Sequence, residues 1–204
     1  MKNMDFISRV YKASGRRSIV ETHLTAIGIM RHWTGYSSVW RKLDGRLVKV
    51  NDLEVYVLCG ARTSAVARRF LDTFAEKRVP AAEDFPFPEF ANEPEYTFLD
   101  PNEVITLLES RQYDSYAIYW NVEGGLGGEQ VMLFFTEDGG MIAGIGGPTD
   151  SWEEALLAIS TVVGGKYGYV TSGSCPPATS KEFKTICKQS TLATLVNGEL
   201  QLPR

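Results

Sequence analysis

Two hydrophobic periods alternate along this chain, and the switches between them mark its elements. Between residues 113 and 154 the period is close to two. Tyr116, Ile118, Trp120 and Val122 share one side of a predicted strand over 115–122, with Ala117, Tyr119 and Asn121 on the other. A second strand over 129–136 sets Val131, Leu133 and Phe135 against Gln130, Met132 and Phe134. Glycines at 124, 125, 127 and 128 join the two, and Asp138-Gly139-Gly140 turns the chain into a small, glycine-rich strand over 141–146. Such a strand lets another backbone or a partner approach closely. Ser151-Trp152-Glu153-Glu154 then reads as a capping box, and the period changes to helical, with Trp152, Ala155, Leu156 and Ile159 on one face. Gly164-Gly165 ends that helix. A strand over 166–171 follows, then a last helix over 178–188 behind Pro176-Pro177, with Phe183 and Ile186 inward. A short strand at 194–196 meets a turn at Asn197-Gly198.

The first half is patterned less evenly. Phe6, Ile7, Val10 and Tyr11 fit a short helix, broken by Ser14-Gly15. Residues 18–31 fit a helix or a strand equally well. Strands over 37–43 and 46–50 flank Asp44-Gly45, and Leu53, Val55, Val57 and Cys59 predict a third, giving a meander. Ser64 is the predicted cap of a helix over 65–78 that buries Ala67, Phe70, Leu71 and Phe74 and turns Arg68, Arg69, Lys77 and Arg78 outward. Residues 79–100 contain Pro80, Pro86, Pro88 and Pro94, which bar a continuous helix or a central strand. This stretch reads as a connector, and Phe85, Phe87 and Phe90 imply that it packs on something. Asp100-Pro101-Asn102-Glu103 then starts a helix that runs to about 110, with Val104, Leu107 and Leu108 inward.

These elements predict an α+β protein in which amphipathic helices pack on antiparallel sheets. The expected organisation is a unit over 1–80, a proline-rich acidic connector over 81–100 and a second unit over 101–204. One internal echo, Tyr56-Val57…Gly60…Phe70 against Tyr169-Val170…Gly173…Phe183, leaves open whether two similar sub-domains exist.

Charge sharpens that division. Residues 1–80 hold 15 Lys and Arg against 7 Asp and Glu; residues 81–204 hold 6 against 18. Arg111 is the single base between Val79 and Gly165, facing 16 acids. The two halves either neutralise each other or choose partners by charge. No apolar run reaches membrane-spanning length, and the first residues lack the apolar core of a signal peptide, so a cytoplasmic protein with no membrane partner is expected.

The chemical motifs are thin. Cys59, Cys175 and Cys187 are odd in number, without CxxC spacing, and read as reduced thiols. His23 and His32 are nine residues apart and form no metal or nucleophile motif. Gly164-Gly165-Lys166 lacks the remaining residues of a phosphate loop, and Glu137-Asp138 lacks calcium-loop spacing. No metal, cofactor or catalytic residue is assigned. The acidic stretch is either a solvated face or a surface for a basic partner. In the latter case Glu123, Glu129, Glu137, Asp138, Asp150 and Glu153 are the contact carboxylates, with Tyr119, Trp120 and Trp152 as aromatic anchors.

The helix before Tyr113, the strands YAIYW and VMLFF, the turn DGG, the segment GIGG and the final helix in PPATSKEF together resemble bacterial immunity proteins of polymorphic and contact-dependent toxin systems, including those against DNA-deaminase toxins. The resemblance spans residues 101–188. It implies a non-enzymatic inhibitor that occludes a cationic toxin domain, a nuclease or a deaminase. Residues 1–80 have no counterpart in it. Two alternatives remain: a regulatory nucleic-acid binder using Arg16, Arg17, Arg31, Arg41, Lys42 and Arg46 among Trp33, Tyr36 and Trp40, or a small enzyme whose groups meet only on folding.

Overall fold

The alternating strands assemble, in a computed structural model, into an eight-stranded antiparallel sheet. Residues 38–43, 46–51, 53–123, 129–147 and 152–202 are described, the first two segments by their backbone alone. In chain order the elements are β1 (Ser38–Leu43), β2 (Arg46–Asn51), β3 (Leu53–Leu58), α1 (Ser64–Phe74), β4 (Arg78–Pro80), β5 (Phe85–Phe87), β6 (Tyr96–Phe98), α2 (Pro101–Ser110), β7 (Tyr116–Val122), β8 (Gln130–Phe135), β9 (Met141–Gly147), α3 (Trp152–Val163), β10 (Tyr167–Thr171), α4 (Ser180–Gln189), β11 (Thr194–Val196) and β12 (Glu199–Gln201). The large sheet has the order β12-β11-β10-β3-β9-β8-β7-β4, and β1-β2 and β5-β6 form separate two-stranded sheets. The class is α+β, as the periodicity predicts.

Period-two patterning separates two faces. Val55 and Val57, Ile118 and Trp120, Val131 and Leu133, and Ala143 and Ile145 point to one face, where they meet Phe70, Leu71, Val104, Leu108, Leu156 and Ile159 of α1, α2 and α3. Tyr56, Leu58, Met132, Phe134, Ile142 and Tyr169 point to the other, together with Phe183 and Cys187 of α4. The glycine-rich β9 is buried throughout. Gly144 shows why: a Cβ there would stand 2.6 Å from the Tyr56 ring, so this ring lies directly on the strand.

The expected meander does not form. β3 leaves the β1–β2 hairpin and inserts between β9 and β10, with Val55 opposite Ile145 on one side and Val170 on the other. Apolar residues on both faces of β3 require a central position, which a hairpin edge could not supply. β3 and α1, from the basic half of the sequence, thus share one sheet and one core with residues 101–200, and residues 36–204 cluster as one compact unit. The sequence division at residue 80 does not coincide with a structural one among the described residues.

Two local expectations shift. Thr63, not Ser64, caps α1, its hydroxyl accepting from the Val66 N–H; Ser64 instead bonds Glu109 of α2 through both its N–H and its hydroxyl. The helix stops at Phe74, four residues early, because Arg78 folds back to donate to the Ala75 carbonyl at 2.9 Å and to Asp72 at 3.2 Å, and then opens β4 along the edge of β7. Two further local readings hold. Asp100 caps α2 with Pro101 in the first turn, and Asn197-Gly198, both at positive φ, turns β11 into β12.

The echo between 56–70 and 169–183 acquires a geometric meaning. Tyr56 and Tyr169 are direct cross-strand partners with ring centroids 5.8 Å apart. A two-fold axis exchanging them would keep both following helices on one side of the sheet. Phe70 and Phe183 lie on opposite faces, so the two strand–helix units are not symmetry mates.

Candidate partner-binding surface

The connector over 81–100 is a folded, outward-facing hairpin. β5 and β6 pair Phe85 with Phe98 and Phe87 with Tyr96. Phe85 and Phe87 turn into the core, where Phe87 stacks on Tyr116 at 6.2 Å. The Tyr116 hydroxyl donates to the Pro86 carbonyl at 3.1 Å. Beyond β4 the edge of β7 is continued by a side chain, since Glu89 accepts the Ala117 N–H at 2.9 Å. Burial pushes the Glu89 carboxyl up to about 8, outweighing the opposite pull of that bond. Burial likewise raises the Tyr116 phenol, with the nearby Glu89 and Asp84 adding to it.

What the hairpin presents outward is apolar surface set among acids. Phe90 is 48% exposed, Tyr96 48% and Leu99 79%, and Tyr113, beyond α2, is 79% exposed. Tyr96 leans on Phe98 with centroids 5.8 Å apart, which holds it in place. Glu83, Asp84, Glu93, Glu95, Asp100 and Glu103 are exposed along the same stretch. Arg111 is already engaged: it pairs with Glu95 at 2.9 Å and Asp114 at 3.7 Å, and its guanidinium covers Phe87 at 5.1 Å. The hydrogen bond with Glu95 holds its pKa above the ordinary value.

The contact residues expected from sequence do not come together. Trp120 and Trp152 are core side chains, 2% and 8% exposed, and cannot serve as surface anchors without unpacking the sheet. Tyr119 is half-buried on the second face, its ring edge-on to Phe134 at 5.5 Å. Glu123 and Glu129 close one end of the β7–β8 pair, while Glu137 and Asp138 sit at the other, roughly 20 Å away along a six-residue strand. Glu153 is half-buried in the first turn of α3. Asp150 lies outside the described residues, as do the Asp44-Gly45 turn, the glycine loop over 124–128, the Ser151 cap, both histidines and the side chains of the basic–aromatic stretch over 9–49.

Asp138 has an internal task. One carboxylate oxygen accepts from the Ser180 N–H and hydroxyl at 2.8 and 2.9 Å and from the Thr136 hydroxyl at 2.7 Å; the other accepts from the Lys181 N–H at 3.3 Å. Burial opposes ionisation there, but these bonds prevail and hold the carboxyl down at about 2. Asp138 therefore ties the 136–140 turn to the start of α4.

The cysteines are free; burial pushes the Cys59 and Cys187 thiols up to about 12, so neither is a thiolate at neutral pH, and Cys175 is exposed. Among the described residues no three His, Cys, Asp or Glu side chains converge as metal ligands, and no helix is long and apolar enough to cross a membrane. No protein-family model, curated protein or solved structure matches the chain.

Phe90, Tyr96, Leu99 and Tyr113 were not among the residues expected from sequence. For Phe90, Tyr96 and Leu99 the signal was present as large apolar residues interleaved with seven acids between Glu83 and Glu103. Reading the prolines there as linker punctuation hid it.

Proposed function

We propose that this protein is a non-enzymatic binding protein that captures a cationic protein on the β5–β6 face, in the manner of an immunity protein occluding a bacterial toxin domain. One observation carries the reading: three of the seven large apolar side chains exposed among the described residues, Phe90, Tyr96 and Leu99, lie within the acid-rich stretch between Glu83 and Glu103, and a fourth, Tyr113, stands beside Asp114. Exposed apolar anchors ringed by one sign of charge suit a partner of opposite charge, because the ring steers the encounter and the anchors supply buried area. The hairpin is also braced from behind by Phe85, Phe87, Tyr116 and Glu89, so little ordering cost opposes binding.

The test is co-expression with the product of the neighbouring reading frame. A basic toxin domain there that co-purifies with this chain, and whose toxicity this chain suppresses, supports the reading. A neighbour that fails to bind, or a complex unaffected by Tyr96→Ala and Tyr113→Ala together, contradicts it.

A further inference from the structure

The last helix runs against the charge of its surroundings. Residues 81–204 contain six lysines and arginines, and three of them, Lys181, Lys184 and Lys188, line one groove. The groove has a volume of about 630 Å3, within the range of small-molecule sites. It lies between α4, the end of β3 at Leu58 and Cys59, and the 136–140 turn. Spacings of three and four residues place the lysines on one helical face, away from the buried Phe183 and Cys187.

Helix stability does not account for this row. Lysines four apart on one face repel each other, which disfavours Lys184 beside Lys188. Lys181 sits in the first turn, at the positive end of the helix dipole, where a base is unfavourable. Lys188 alone, in the last turn, stands where the helix by itself would favour a cation. Asp138 also borders the groove, but both of its oxygens are occupied by donors of the turn and the helix start. It is exposed and places one negative charge at the rim against three lysines, so the groove keeps an excess of positive charge. Lys184 lies over the Tyr167 ring at 5.5 Å, a contact that orients its ammonium while leaving the side chain exposed.

We propose that this groove binds a small phosphate-bearing anion, between pyrophosphate and a nucleoside triphosphate in size, with the three ammonium groups on its phosphate oxygens. Three cations along about 10 Å of helix call for a multivalent anion, because one carboxylate would engage a single lysine. The same length is short for a polymer. The site is separate from the β5–β6 face in residues and in charge.

Calorimetric titration of the full chain at low salt tests this, with inorganic pyrophosphate, inorganic triphosphate and ATP as probes. Saturable one-to-one binding of at least one probe is expected. It should weaken about tenfold or more in the combined Lys181→Gln, Lys184→Gln, Lys188→Gln variant, weaken by smaller factors in each single variant, and persist in Lys166→Gln. Circular dichroism confirms that each variant is folded, and the single variants carry the comparison if the combined one is not. Absence of saturable binding by the wild type, or affinity unchanged in the lysine variants, overturns the proposal. Tighter binding of single-stranded oligonucleotides that grows with their length also overturns it, in favour of an extended polyanion surface.

Discussion

Two charged side chains hold opposite sides of the 136–140 turn, and they do so by opposite chemistry. Arg62, in the loop after β3, is 9% exposed and donates to five carbonyls: Leu108 at 3.0 Å, Thr136 at 2.9 Å, Gly140 at 3.3 Å, Arg111 at 2.7 Å and Asp114 at 2.9 Å. Its guanidinium also lies over the Phe135 ring at 5.0 Å. It thereby closes the C-terminal end of α2, where helix carbonyls lack partners. Asp138 does the converse and closes the N-terminal end of α4, where N–H groups lack partners. Arg62 holds the backbone of Arg111, whose side chain pairs with Glu95 of the acidic stretch, and Asp138 lines the lysine groove. The difference teaches that charge near this turn must be sorted into charge that is consumed by the fold and charge that is offered to solvent.

The largest effect expected from disturbing that pair is at Arg62. Arg62→Ala strands buried carbonyls around the vacated site and should cost about 3–5 kcal/mol in urea unfolding. A cost below about 1 kcal/mol would show that the carbonyls find other donors and that no clamp exists.

Glu89, which braces the acidic hairpin, gives the next largest effect and a distinct pH signature. Its folded pKa of about 8 lies above an unfolded value of about 4.3. Its contribution is full below the unfolded value and is lost as pH rises toward 8, because ionisation is disfavoured in the fold. Glu89→Gln should therefore match the wild type near pH 4 and exceed it by on the order of 2 kcal/mol near pH 8. A stability difference independent of pH would show that this carboxylate is solvated.

Asp138 is expected to matter less and with the reverse sign. Its folded pKa of about 2 lies below the unfolded value of about 3.9, so its contribution is present above pH 4 and is lost as pH falls toward 2. Asp138→Asn should cost about 1 kcal/mol at pH 7 and should flatten the acid limb of the stability profile. An unchanged acid limb would contradict the cap.

How much of this was legible follows the range of the interactions. Strands, caps and turns such as Asp100-Pro101, Thr194–Val196 and Asn197-Gly198 depend on neighbours in sequence, and they appear where expected. The place of β3 in the sheet depends on Ile145 and Val170, residues 90 and more positions away. Asp138 looks like a free turn acid until Ser180, 42 residues on, is seen to donate to it. Trp120 and Trp152 misled for a related reason. When both sides of a strand or helix carry large apolar residues, pattern alone does not say which side faces out. The acidic hairpin was masked by its prolines, which break long elements but allow the three-residue strands found there.

The most direct measurement is the association rate with a basic protein domain that co-purifies with this chain, read against ionic strength. The comparison is between the wild type and a variant with Glu83, Asp84, Glu93 and Glu103 changed to Lys, which leaves the Asp100 cap and the Glu95–Arg111 pair intact. If the acidic face receives the partner, the variant associates about 10–100-fold more slowly at low salt, and the difference shrinks as salt is raised. Equal rates at low salt would contradict a partner-receiving role for this face.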